Sequence, residues 1–163
     1  MISGWSRFGR RFARSVTGML GLAIVVGIAA LSILADVLFP TDPLSIVGAP
    51  FVWPGVDPAF PLGTDRLGRD VLAGLLHGAR ASLVVGLATA LVAAVFGALV
   101  GTVAGFAGGL VDEALMRLTE AFQTVPGFLL ALAFVSVAGA SLPVVVLAIA
   151  LSAWTGPARL ARA

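Results

Sequence analysis

The chain has 163 residues with ten basic and eight acidic side chains, so 11% of it is charged and 60% is hydrophobic. A soluble globular domain is about 25% charged and about 45–50% apolar, and a disordered chain needs low hydrophobicity with high charge; the composition argues against the first, excludes the second and indicates several membrane spans. All the basic residues are Arg, so the pI of 11.0 accompanies a net charge of only +2, which is no footprint for nucleic acid, and the absence of Cys rules out disulfide or thiolate chemistry.

Charge positions divide the chain. Arg7, Arg10, Arg11 and Arg14 precede an uncharged stretch over 15–35, which predicts a first span over Thr17–Leu38. The cluster places the N-terminus in the cytoplasm by the positive-inside rule. The apolar run is too long for a typical signal peptide, and no small residue stands at the −3 position of a cleavage site, so it is read as a retained span.

The outer loop follows. Pro40, Pro43, Pro50, Pro54, Pro58 and Pro61 make its first part an extended connector. A charged cluster closes it, with Gly63, Thr64, Asp65, Arg66, Gly68, Arg69 and Asp70 in eight positions. Thr64 or Asp65 is placed as the N-cap of a short interfacial helix through Leu72, with Asp65 and Arg69 as an i,i+4 pair. His77, the lone histidine, has no companion ligand for a metal and is read as an interfacial polar residue. Arg80 is read as a snorkelling anchor at the mouth of the next span.

The uncharged stretch 81–111 predicts a second span over Ser82–Phe106. Gly97, Gly101, Gly105 and Gly109 repeat every fourth residue along it, with Gly86, Ala90 and Ala94 upstream; small residues at this spacing mark a close helix–helix seam in lipid. The inner segment 108–120 reads as a surface helix with Leu110, Ala114, Arg117 and Ala121 on one face and Glu113–Arg117 as an i,i+4 pair. The uncharged stretch 121–158 would reach roughly 57 Å as a single helix at 1.5 Å per residue, almost twice a bilayer core. A break at 139–143, ending on Pro143, divides it into spans over Ala121–Ala138 and Pro143–Ala158. Pro126 is expected to kink the third span, and Trp154 to join an aromatic belt at the inner surface. The C-terminal end, with Arg159 and Arg162, is placed inside.

The fold class is therefore all-α, a polytopic transmembrane bundle with four spans in this chain. No span carries a charge at its middle, as proton relays and intramembrane ion sites do. No catalytic triad, phosphate loop or zinc motif is present, so no catalytic, cofactor-binding or metal residues are assigned and no cofactor is expected.

Three separated motifs then carry a resemblance. Pro61-Leu62-Gly63-Thr64-Asp65, Gly68-Arg69-Asp70-Val71 and Gly78-Ala79-Arg80-Ala81-Ser82-Leu83 resemble the stretch after the first span in C-type permease subunits of peptide and nickel ABC importers. Gly108-Gly109, Asp112, Met116-Arg117-Leu118 and Pro126 resemble the inner segment that follows there, and Trp154, Gly156, Arg159 and Arg162 the exit of the fourth span. Phe60, Ala73-Gly74 and Glu120 depart from the family pattern.

The resemblance implies a six-span permease of the MetI-like type, with 1–60 as tail, first span and start of the outer loop and 61–163 as the N-terminal part of the permease domain. The family's coupling loop and two further spans would follow Ala163. It implies a multi-pass protein of the bacterial or archaeal plasma membrane that works by alternating access with a second permease subunit, cytoplasmic nucleotide-binding ATPase subunits and an extracytoplasmic substrate-binding protein. Asp65, Arg69 and Asp70 would brace the outer gate or meet the partner permease, and Asp112 with Arg117 would brace the inner surface helix. A stand-alone channel or secondary transporter, an assembly protein and a non-functional permease fragment are the competing readings; no internal repeat or broken helix with polar midplane residues favours the second transporter class.

Overall fold

The computed structural model describes residues 11–163, so Arg7 and Arg10 of the N-terminal cluster lie outside the described residues. The uncharged stretches fall largely within helices, and the described helices are α1 Val16–Ile33, α2 Ala35–Leu38, α3 Val71–Ala107, α4 Gly109–Thr124, α5 Gly127–Ala138, α6 Leu142–Ala153 and α7 Thr155–Arg162. Among the described residues the only strand-like pairing is an isolated antiparallel bridge between Thr64 and Asp70. The chain divides into two compact units, residues up to Leu83 and residues from Val84.

In the first unit, the Ser15 hydroxyl caps α1 by accepting from the Gly18 N–H at 3.2 Å. The predicted first span ends earlier than expected. Ser32 Oγ donates to the Ile28 carbonyl, a back-bond that bends helices, and the helix breaks at Leu34 before α2.

The Pro-rich connector is not simply extended. It turns back on the charged cluster. Val47 and Gly48 N–H groups donate to the Gly68 carbonyl at 2.9 and 3.1 Å, Phe51 N–H to Asp65 at 3.1 Å, and Thr64 N–H to Val52 at 3.0 Å. No helix starts at Thr64 or Asp65. The helix begins at Val71, where Asp70 Oδ1 accepts from the N–H groups of Leu72 at 2.8 Å and Ala73 at 3.3 Å. From there α3 runs unbroken for 37 residues, about 55 Å at 1.5 Å per residue. The interfacial helix and the second span are thus one element.

In the second unit, Gly108 and Gly109 at positive φ separate α3 from α4. Pro126 does more than kink a span: α4 and α5 meet at 84°, and Pro126 stands in the extended link between them. With 12 residues, α5 covers only about 18 Å. Gly139 ends α5 at φ +86° and Pro143 sits in the first turn of α6, as the break at 139–143 requires. The predicted fourth span bends by 43° between α6 and α7. Pro157 explains this: it has no N–H for the Ala153 carbonyl and its ring crowds that carbonyl. Among the described residues two helices, α1 and α3, are long and apolar enough to cross a membrane, or up to four elements if each bent pair is one span.

The buried core of this unit is small. Within it Ala93, Trp154 and Ala158 form one cluster, with Val100 and Phe122 packed against them. Trp154 is 3% exposed and stands edge-on to Phe96 and Phe122, with ring centroids 5.2 and 5.6 Å away. It is a core residue, not part of an aromatic belt.

Candidate functional site

The outer-loop motif is held together by one hydroxyl. Thr64, 6% exposed, donates from Oγ1 to the Ala49 carbonyl at 2.6 Å and accepts from the Val52 N–H at 3.0 Å. It thereby ties the charged cluster to residues 12 and 15 positions earlier. Gly63 and Gly68 flank it at φ +75°. A side chain at Gly63 would strike the Val52 carbonyl, and one at Gly68 the Gly48 carbonyl, so glycine is required at both for conformation and for space.

Asp65 does not form the helical pair expected with Arg69. Its Oδ1 accepts from the backbone N–H groups of Leu67 at 2.7 Å and Arg69 at 2.9 Å. The Arg69 N–H, then the Leu67 N–H and the nearby Arg69 and Arg66 charges, hold the Asp65 carboxyl below its ordinary value, against an opposing desolvation effect. Arg69 Nε is buried without a hydrogen-bond partner among the described residues. The motif residues Gly63, Thr64, Asp65, Gly68 and Asp70 thus build a loop and cap a helix. Arg80 stands apart from it and is more than a snorkelling anchor, because its Nη1 donates to Asp36 Oδ2.

At the inner-segment motif, Glu113 and Arg117 form the expected i,i+4 pair at 3.0 Å on an exposed surface. Asp112 finds a different partner from the one proposed for it. Its Oδ2 accepts from Arg162 Nη2 at 2.6 Å, joining the start of α4 to the end of α7, while Oδ1 is buried without a hydrogen-bond partner among the described residues. Met116 and Thr119 are buried, while Ala114 and Arg117 are exposed and Leu110 is 85% exposed. Gly109 starts the helix and Pro126 lies beyond its end.

The glycine seam on α3 has an identified occupant. A methyl at Gly97 would lie 2.8 Å from Pro157 Cβ and overlap the Trp154 carbonyl; at Gly101 it would lie 2.9 Å from Ala161 Cβ and overlap the Ala158 carbonyl; at Gly105 it would stand 3.0 Å from the Arg162 carbonyl. The backbone of 154–162 therefore lies in a groove of three notches, the close approach that small residues permit. Gly86 has open space around it, so the seam is confined to the second half of α3.

Sequence reading missed the pairing of Asp36 with Arg80 and the pairing of Asp112 with Arg162. Each joins residues 44 or 50 positions apart, and no local spacing signals such contacts. It also missed the bend at Pro157, for which the signal was present. Among the described residues no group of His, Cys, Asp and Glu could hold a metal ion, and the open hollows are lined almost wholly by apolar side chains, as between α5 and α6 around Phe128, Leu132 and Ile149. What the described residues bring together here is packing surfaces and ion pairs.

Comparison with known proteins agrees. Residues 97–163 match the family of binding-protein-dependent transport system inner membrane components, and residues 3–57 match the N-terminal transmembrane domain of oligopeptide transport permease C. The chain is 33% identical over 157 residues to the dipeptide transport system permease protein DppC of Haemophilus influenzae, covering 93% of this chain and 53% of that protein. It is 37% identical over 143 residues to the nickel transport system permease protein NikC of Escherichia coli, covering 88% and 51%, and 37% identical over 163 residues to the oligopeptide transport system permease protein OppC of the same organism, covering 97% and 53%. The chain spans about half the length of the curated relatives it matches. Residues 97–163 and residues 3–57 thus point the same way: the chain is similar to the inner-membrane permeases of binding-protein-dependent transport systems, and its first part to oligopeptide transport permease C.

Proposed function

We propose that the chain is part of a transmembrane permease subunit of an ATP-driven importer for peptides or nickel. It would form half of the substrate pathway, opening alternately to each side as cytoplasmic ATPase subunits bind and hydrolyse ATP. A second permease subunit would complete the pathway and an extracytoplasmic binding protein would deliver the cargo. The chain itself contributes no catalysis. Its N-terminus and the α4 segment face the cytoplasm, and the loop 39–70 faces outward.

The observation that carries this reading is the match of two separate stretches, 3–57 and 97–163, to permease families. Within it, the Thr64-centred loop is a fixed outer cap on α3, and the groove at Gly97, Gly101 and Gly105 holds 154–162 so that the inner surface moves as a body. The relatives are dipeptide, oligopeptide, nickel and glutathione permeases by their names, which supports a peptide or nickel cargo.

The test is genetic replacement. The gene encoding this chain, with its neighbouring transport genes, is placed in a host deleted for its own peptide and nickel permeases. Growth on a dipeptide, an oligopeptide or limiting nickel should be restored, and should be lost when the ATPase partner is inactivated. Restored growth that persists without the ATPase would contradict the reading.

A further inference from the structure

The first helix contributes almost nothing to the packing of its own chain. Ser32 is the one residue of Val16–Ile33 that is buried, and Gly21 and Gly27 have open space where a side chain would stand. Burial begins at the C-terminal end, where Ser32 is 1% and Ala35 0% exposed. There the break at Leu34 sets the four residues of α2 so that Asp36 meets α3. Asp36 Oδ2 accepts from Arg80 Nη1, and Asp36 Oδ1 lies 3.4 Å from His77 Nε2. The other ring nitrogen of His77 is 3.0 Å from the Ala73 carbonyl one turn earlier, which fixes the ring. All of these residues belong to the first unit.

We propose that Asp36, Arg80 and His77 form a clasp that fastens the C-terminal end of α1 to the first turns of α3. Lipid gives apolar helices no hydrophobic reason to associate, so a helix without a packed face is not held by burial. A carboxylate between a guanidinium and an imidazole gives instead a directional polar contact that an apolar helix face lacks. The carboxylate meets a guanidinium and an imidazole in the same place, whereas among the described residues α1 buries nothing ahead of Ser32. Arg80 is the main tooth of the clasp. His77, at the longer distance, steadies it. This inference does not depend on transport.

The test uses spin labels in the intact chain in lipid nanodiscs. Because the chain has no Cys, Leu20→Cys and Leu31→Cys give single labels on exposed positions of α1. The label at 31 should be less mobile than the label at 20. Asp36→Arg or Arg80→Asp should raise mobility at 31 to the level seen at 20, and the double exchange should restore it. His77→Gln should raise it less than Arg80→Gln. Asp36→Asn and Arg80→Gln are read beside the reversals, so a reversed variant that fails to fold leaves the question answerable. Equal mobility at 20 and 31 in the unaltered clasp, or no change at 31 in any clasp variant, would overturn the proposal.

Discussion

Thr64 shows how much of the outer loop depends on single atoms. Its hydroxyl satisfies the Ala49 carbonyl and the Val52 N–H together, and Val has almost the same shape without either bond. Thr64→Val should therefore destabilise the first unit by about 1–3 kcal/mol, the penalty for leaving buried polar groups unpaired, and thermal unfolding checks it. Asp65 adds a pH dependence. Its carboxyl is held low mainly by the Arg69 N–H, so the ionised form stabilises the folded loop above the ordinary carboxylate range and that stabilisation is lost as pH falls through the lowered folded value. The protection of the Leu67 and Arg69 amides from hydrogen exchange should fall below about pH 4, and Asp65→Ala should leave it low at every pH. A surface pair behaves differently. Glu113 and Arg117 are exposed, so Glu113→Gln should change stability by no more than about 0.5 kcal/mol.

The elements separate what sequence spacing reveals from what it hides. Uncharged stretches located α1, and the seam spacing located the groove on α3, because hydrocarbon length and close backbone approach are both written as short-range patterns. The start of α3 was not legible. Arg80 looks like the end of a span when charges are counted along the chain, yet it is paired by Asp36, and a paired charge need not end a helix. The role of Trp154 was hidden for a similar reason: an aromatic near a helix end fits a belt and a core equally until Phe96 and Phe122 are found beside it. Pro157 was legible and decides the bend. The groove makes a sharp prediction. Gly101→Ala should lower the unfolding temperature measurably, because its methyl overlaps the Ala158 carbonyl and overpacking of this kind costs about 1–3 kcal/mol. Gly86→Ala, which meets open space, should be neutral or slightly stabilising, since Ala forms helix better than Gly. Equal losses at both positions would mean that the groove is not where α3 is engaged.

For the whole molecule, the proposed importer function predicts that residues 39–70 are reached from outside the cell and the α4 segment from the cytoplasm. Topology follows from single cysteines in a Cys-free background: Trp53→Cys, on the exposed loop, should react with an impermeant thiol reagent in intact cells, and Glu120→Cys only after the membrane is opened. The central claim is tested most directly by uptake into proteoliposomes holding the complete complex, with this chain's permease, its partner permease, the ATPase subunits and the binding protein. Labelled dipeptide, oligopeptide or nickel should accumulate only with hydrolysable ATP inside the ATPase compartment and with the binding protein on the opposite side. Accumulation driven by an ion gradient alone, without ATP or binding protein, would contradict the account.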